Sequence, residues 1–193
     1  MAYVRAYGLV RAGAMRSLAA YVAAHDPAVL AISQIDSGDA LALATRFARE
    51  WAYRGGQALF WTSAFRASQV RASYLPMNGA RPFNRRGFLR VDGRLIERPC
   101  SLYVTFLGRA RKQRVPEMRF VRAALRANPA AAVAFVHGLA APGLRDLGFA
   151  DTSPGDTRHE RIYARGFTSA GDEKAEAGPA LLGMPARATL ITA

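Results

Sequence analysis

Residues 20–36, AYVAAHDPAVLAISQID, are the stretch on which the reading of this chain turns. Over residues 15–24 the apolar side chains Leu18, Tyr21 and Val22 fall at i, i+3 and i+4, the spacing of one helix face. Asp26-Pro27 ends that helix, since proline disfavours helical backbone in the residue before it. Residues 29–35, VLAISQI, are then an apolar run of strand length, the pattern of a strand buried inside a sheet.

Working outward, residues 3–10 read as a strand on the N-terminal side. On the C-terminal side Ser37-Gly38-Asp39 offers the cap of a second helix, residues 40–51, which Arg54-Gly55-Gly56 interrupts. Residues 58–61 (ALFW) and 70–75 read as strands, and residues 76–86 (PMNGARPFNRR) as a basic, turn-rich segment. Asp92-Gly93 supplies the positive φ angles of a tight turn, which predicts a hairpin of residues 87–91 and 95–107. A third helix follows, with Pro116 near its first position, Glu117 in its first turn and Met118, Val121 and Leu125 on one face. Asn128-Pro129 stops it. Residues 131–136 form another buried strand, residues 143–147 a helical turn, and residues 162–164 and 190–191 short strands. Residues 169–179 (SAGDEKAEAGP) hold almost no large apolar side chain and read as a mobile loop. Strands mixed with helices at irregular intervals, one hairpin included, predict a mixed α/β (α+β) sandwich and not a strict βαβ repeat, in one domain, residues 1–193.

The chain has 193 residues, 51% of them hydrophobic, which suffices for a substantial core and excludes wholesale disorder. Its net charge of +13 comes almost entirely from arginine, Lys112 and Lys174 being the only lysines. Such a field attracts nucleic acid, anionic lipid headgroups or an acidic protein surface, and charge alone does not choose among them. An Ala- and Arg-rich composition accounts for the same excess with no partner at all. Cys100 is the only cysteine, so neither an intrachain disulfide nor a cysteine-based zinc site forms. The N-terminal residues have no signal-peptide pattern, and no segment approaches the ~20 apolar residues of a membrane span. The expectation is a cytoplasmic protein, free or peripheral to a membrane.

The order of these segments resembles the metal-dependent endonuclease/exonuclease/phosphatase superfamily over residues 3–192. Residues 20–36 look like its helix followed by "DPDVVALQEV", and residues 56–65 (GQALFWTSAF) like its "GNAILSRFPI" strand. Residues 102–107 (LYVTFL) resemble the strand ending in Thr-His-Leu, and residues 114–125 the helix after it. Residues 132–140 (AVAFVHGLA) occupy the place of the strand ending in Gly-Asp-Phe-Asn, and residues 144–152 (LRDLGFADT) that of the "L…GF.D" segment. The resemblance implies a two-sheet sandwich with helices outside.

It also implies where catalytic side chains would stand, and this chain departs from the pattern there. The family's N-terminal Asn is matched by Gly8, its metal-binding Glu by Ile35, and the His of Thr-His-Leu by Phe106. Gly-Asp-Phe-Asn becomes His137-Gly138-Leu139-Ala140, so Gly138 and Ala140 replace its Asp and Asn. Ser-Asp-His becomes Ala186-Arg187-Ala188, with Arg187 and Ala188 at the Asp and His positions. Such phosphoryl chemistry needs oxygen ligands for a hard cation and donors aimed at phosphoryl oxygens, which these side chains do not supply. The expectation is a non-catalytic pseudoenzyme with no cofactor and no metal, acting as an accessory or structural subunit.

Other constellations are weaker. His137 ends an apolar strand, where a lone imidazole is more often a hydrogen-bonded core group than a catalyst. Asp151, Asp156, His159 and Glu160 include metal-ligand types but flank Ser153-Pro154-Gly155, a solvated-loop signature. Asp36 and Asp39 are replacement ligands or, more simply, a turn and a helix cap. Ser63, Ser68 and Ser101 have no hydrolase motif around them, and no phosphate-binding glycine loop occurs. The expected docking surface is basic: Arg109, Arg111, Lys112 and Arg114 lead into Arg119, Arg122 and Arg126 on one helix face, with Arg81, Arg85, Arg86 and Arg90 upstream. The partner it suits is a larger protein assembly or another anionic surface. Two alternatives stay open: a divergent magnesium-dependent phosphodiesterase or nuclease, and a sequence-nonspecific nucleic-acid-binding module.

Overall fold

The computed structural model describes residues 2–10, 15–76, 86–108, 110–137, 144–152, 160–169 and 186–192. Among the described residues twelve strands make two sheets. The first has the order β11-β12-β1-β2-β4-β3, formed by β1 (Ala2–Val10), β2 (Val29–Ser33), β3 (Glu50–Arg54), β4 (Gln57–Trp61), β11 (Thr168–Ser169) and β12 (Ala186–Thr192). The second has the order β5-β6-β7-β8-β10-β9, formed by β5 (Phe65–Tyr74), β6 (Gly87–Leu95), β7 (Arg98–Phe106), β8 (Ala132–His137), β9 (Ala150–Asp151) and β10 (Glu160–Arg165). Only two pairings are parallel, β1 with β2 and β7 with β8, and each is bridged by a crossover helix. α1 (Met15–His25) makes the first and α3 (Arg111–Arg126) the second, while α2 (Ser37–Arg46) connects β2 to β3.

Alternation along the strands divides the apolar residues into three layers. Val4, Ala6, Ala31, Leu59, Val104, Val133 and Phe135 meet between the sheets. Leu18, Tyr21 and Val22 of α1 and Leu43 of α2 cover the outer face of the first sheet, against Leu30, Ile32 and Phe60. Val121 and Leu125 of α3 cover the outer face of the second, against Tyr103 and Val136. Each such buried side chain contributes about 2 kcal/mol of transfer free energy.

Several expected boundaries move. The second helix starts at Ser37 and stops at Arg46, so Trp51 lies in β3 instead; its cap is Asp36, whose Oδ1 accepts the Asp39 amide at 2.8 Å. The β6–β7 turn falls at Ile96 and Glu97, with φ of 45° and 65°, and not at Asp92-Gly93. Asp92 is instead an in-strand carboxylate that accepts from Arg90 and Ser101. Gly93 leaves room for the neighbouring strand: a Cβ there would stand 2.3 Å from the Arg66 carbonyl oxygen. Gly87 is equally constrained, because its amide donates to the Gly55 carbonyl at 2.9 Å and a Cβ would overlap the Arg54 carbonyl. α3 begins at Arg111, more than a turn before Pro116, which is therefore interior. Most of residues 76–86 and 169–179 lies outside the described residues.

Candidate functional site

The parallel pairs bring the C-terminal ends of β1, β2, β7 and β8 to one rim of the sandwich, where β4 and β12 begin. Side chains that alternate toward the seam there come from both sheets. Ser33 ends β2 on the inner face, one alternation beyond Ala31, and Gln57 opens β4 directly opposite it. His137 ends β8 on the inner face beyond Phe135, in register with Phe106 of β7.

These groups form a closed polar chain. Ser33 Oγ donates to Gln57 Oε1 at 2.5 Å and is in hydrogen-bond contact with His137 Nδ1. A serine hydroxyl has one proton, so the contact with His137 requires the imidazole to donate from Nδ1, leaving the lone pair on Nε2. Nε2 is buried and has no hydrogen-bond partner among the described residues. Burial pushes the His137 pKa down to about 3, so the ring is neutral at ordinary pH.

The expected positions that fall among the described residues can now be placed. Gly8 shares the inner face of β1 with Ala6, one layer below the rim, and presents no side chain. Phe106 lies on the inner side of β7 by alternation with Leu102 and Val104, in the seam beside His137. Ile35 is not a seam residue: it is buried among the helices on the outer face of the first sheet. With Asp26-Pro27 held in register with the Asp-Pro of "DPDVVALQEV", the Glu position falls on Gln34, exposed at φ 61°, and Ile35 takes the Val position. On that register an amide stands where the pattern has a carboxylate.

Arg187 is likewise not at the seam. It points to the outer face beneath α1, where its guanidinium lies 5.2 Å from the Tyr7 ring centroid and 2.8 Å from Tyr21 Oη. Ala188 is the inner-face neighbour, packed between the sheets. Gly138 and Ala140 lie outside the described residues, as do Asp156 and His159. Asp36 caps α2 and Asp151 pairs with Arg161 at 3.1 Å. Among the described residues no group of three His, Cys, Asp or Glu side chains stands close enough to hold a metal ion. The described rim therefore does not fit a hard divalent cation, which requires several oxygen ligands. Burial of the Cys100 thiol in the inter-sheet core pushes its pKa up to about 12, which keeps it protonated.

The basic surface is narrower than expected. Arg111, Lys112, Arg119 and Arg126 are exposed along α3, with Val115 among them. Arg122 pairs with Asp146 at 2.5 Å, and Arg86 is committed to the buried Glu117, which removes it from the stripe. Arg85 and Arg109 lie outside the described residues, and Arg114 is half-buried. A separate cavity of about 270 Å³ lies between α1 and α2, lined by Met15, Arg16, Ala19, Ala42, Leu43 and Arg46, none of them a rim residue. No helix among the described residues is long and apolar enough to cross a membrane. Sequence reasoning missed Ser33 and Gln57, whose only signal is that each is a polar residue at the end of an apolar strand.

This architecture, two mixed sheets with helices outside, is the endonuclease/exonuclease/phosphatase fold. Among solved structures, an endonuclease/exonuclease/phosphatase from Bacteroides vulgatus superposes with a TM-score of 0.77 at 12% identity, over 99% of each chain. A mannosyl-6-phosphatase from Bacteroides thetaiotaomicron gives 0.74 at 11% identity, over 98% of this chain and 100% of that one. D. rerio TDP2 complexed with single strand DNA product gives 0.72 at 12% identity, over 100% of both. At these identities the likeness is one of fold. No protein-family model matches the sequence, and no curated protein does.

Proposed function

We propose that this chain is a non-catalytic protein with the endonuclease/exonuclease/phosphatase fold, an accessory or structural subunit that docks on an anionic partner through α3. One observation carries the first half. The rim where strand ends converge is closed by the neutral Ser33, Gln57 and His137 chain beside Phe106, with Gly8 below it. Metal-assisted phosphoryl transfer needs carboxylates to hold the cation and charged donors for the developing negative charge. A neutral imidazole tied to a serine and an amide offers neither.

The second half rests on the exposed stripe of Arg111, Lys112, Arg119 and Arg126. Its charges suit phosphates, lipid headgroups or carboxylates, and the absence of aromatic residues among them favours contact without base reading. The test is binding of the full chain to three probes, a fluorescent single-stranded oligonucleotide, phosphatidylserine vesicles and an acidic protein, as a function of salt. Affinity for one of them should fall steeply with salt, and joint substitution of Arg111→Glu, Arg119→Glu and Arg126→Glu should weaken it by about tenfold or more. Binding unchanged by the triple substitution would remove α3 as the docking surface.

A divergent metal-dependent phosphodiesterase is the second reading, favoured by the fold shared with a mannosyl-6-phosphatase and with TDP2 bound to a DNA product. His137 is the titratable side chain such an activity would use.

A further inference from the structure

We infer that β5 is a docking edge for an extended segment of a partner chain whose residues alternate between apolar and acidic. β5 is the outermost strand of the second sheet. It pairs with β6 along its whole length, from Phe65 opposite Leu95 to Tyr74 opposite Gly87, and among the described residues no strand pairs with its other side. The ladder shifts between Ala67 and Gln69, so Ser68 is an extra residue, and beyond it Val70 and Ala72 take the inner face.

Among the described residues that inner face is only partly covered. Val70 stands opposite Val91 and Ala72 opposite Leu89, both wholly buried between the sheets, yet Val70 is 50% exposed. β3, the last strand of the first sheet, lies against β6 and part of β5, and Phe65 at the start of β5 is buried between the sheets, so the uncovered part of β5 is the stretch beyond the bulge. Tyr74, also partly exposed, continues the same apolar strip. An unpaired edge and a partly uncovered apolar strip on one strand call for the same occupant: another strand, which supplies both backbone partners and apolar cover.

Charge decides its chemistry. The Arg71 side chain is 56% exposed on the outer face of β5, Arg66 is exposed nearer the bulge and pairs with Glu97 at 3.4 Å, and the Arg54 guanidinium lies 4.2 Å from the Tyr74 ring centroid. Asp92, the acid nearest Arg71, also holds Arg90 and Ser101. A second copy of this chain would bring the same arginines, and a net charge of +13, against each other. A partner strand fits when the residues facing Val70, Ala72 and Tyr74 are apolar and those facing Gln69, Arg71 and Ser73 are acidic. The Tyr74 end of this strip adjoins the rim, since Arg54 pairs in register with Gln57, whereas Val70, Ala72 and Arg71 are not rim residues; the inference holds whether or not the rim is catalytic.

The probe is a fluorescent peptide of about eight residues alternating Val and Glu, a length that matches an ordinary strand. Its comparators are a Val/Lys repeat and a Val/Glu repeat N-methylated at alternate residues, and the readouts are anisotropy and amide hydrogen exchange of the full chain. The Val/Glu peptide should bind about tenfold or more tighter than the Val/Lys peptide and slow exchange across residues 66–74. N-methylation should abolish binding, and Arg71→Glu should reverse the preference between the charged peptides. Equal binding of the N-methylated peptide, or protection confined to α3, would overturn the inference. So would a dimer of the chain that Val70→Lys dissociates.

Discussion

Ser33 has one hydroxyl proton and two neighbours within reach of it, and that count sets the state of His137. With the proton on Gln57 Oε1, the imidazole donates from Nδ1 and stays neutral, its pKa held down near 3 by burial. The pH dependence of stability follows. Above about pH 6.5 the ring is neutral in both folded and unfolded chains and has no effect. As pH falls below that, the unfolded chain takes up a proton that the folded chain refuses until about pH 3, so stability declines by about 1.4 kcal/mol per pH unit on this account. His137→Gln should flatten that decline between pH 6 and 4, measured by urea denaturation; an unchanged slope would mean that His137 is not the buried base. His137 was legible in sequence as a hydrogen-bonded strand-end residue, but Ser33 lies 104 positions away and only the meeting of two sheets reveals the pair. Ile35 and Arg187 show the other limit. Side-chain direction reverses with each residue of a strand, so a one-residue slip moves a group to the opposite face.

At the scale of elements, α3 sits in place through Glu117. This carboxylate, 1% exposed, accepts the Gly108 amide at 2.7 Å and pairs with Arg86, tying the helix to the segment before it and to the start of β6. Glu117→Gln keeps an acceptor for Gly108 but leaves Arg86 without its counter-charge. Because Arg86 is partly exposed, the cost should be about 2 kcal/mol, less than for a fully buried pair, and is read as a shift of the denaturation midpoint with no change in slope. A cost near zero would show that solvent screens the pair. Pro116 acts in the opposite sense. It lies inside the helix, where proline has no N–H to donate and its ring crowds the preceding turn. Pro116→Ala should therefore stabilise the protein by about 1–3 kcal/mol, measured the same way. The sequence pattern suggested a start near Pro116 because proline favours the first turn. The real start is masked by a basic stretch with little apolar periodicity. Apolar strands such as β2, β4 and β8 were readable because burial on both faces leaves continuous apolar runs. β9 and β11, two residues each, carry no such signal.

For the whole molecule, one framework is compatible with opposite chemistries. The fold shared with phosphatases and nucleases places its strand ends at one rim, and the side chains set there decide whether that rim can hold a cation. In this chain Ser33, Gln57, His137 and Phe106 at the described rim are neutral, with Arg54 in register beside Gln57, while further positive charge lies on α3 and the arginines around β5. Segment order made the sandwich legible, because helices and strands of matching length follow one another along nearly the whole chain. The site was less legible, since its polar groups are ordinary residues whose role depends on register and on contacts between sheets. The most direct test of the non-catalytic reading is turnover by the purified full chain of a phosphodiester, a phosphomonoester and single-stranded DNA, with Mg²⁺ or Mn²⁺ in excess. The account predicts rates indistinguishable from buffer with either metal. Metal-dependent turnover that His137→Ala abolishes would contradict it and make the rim an active site.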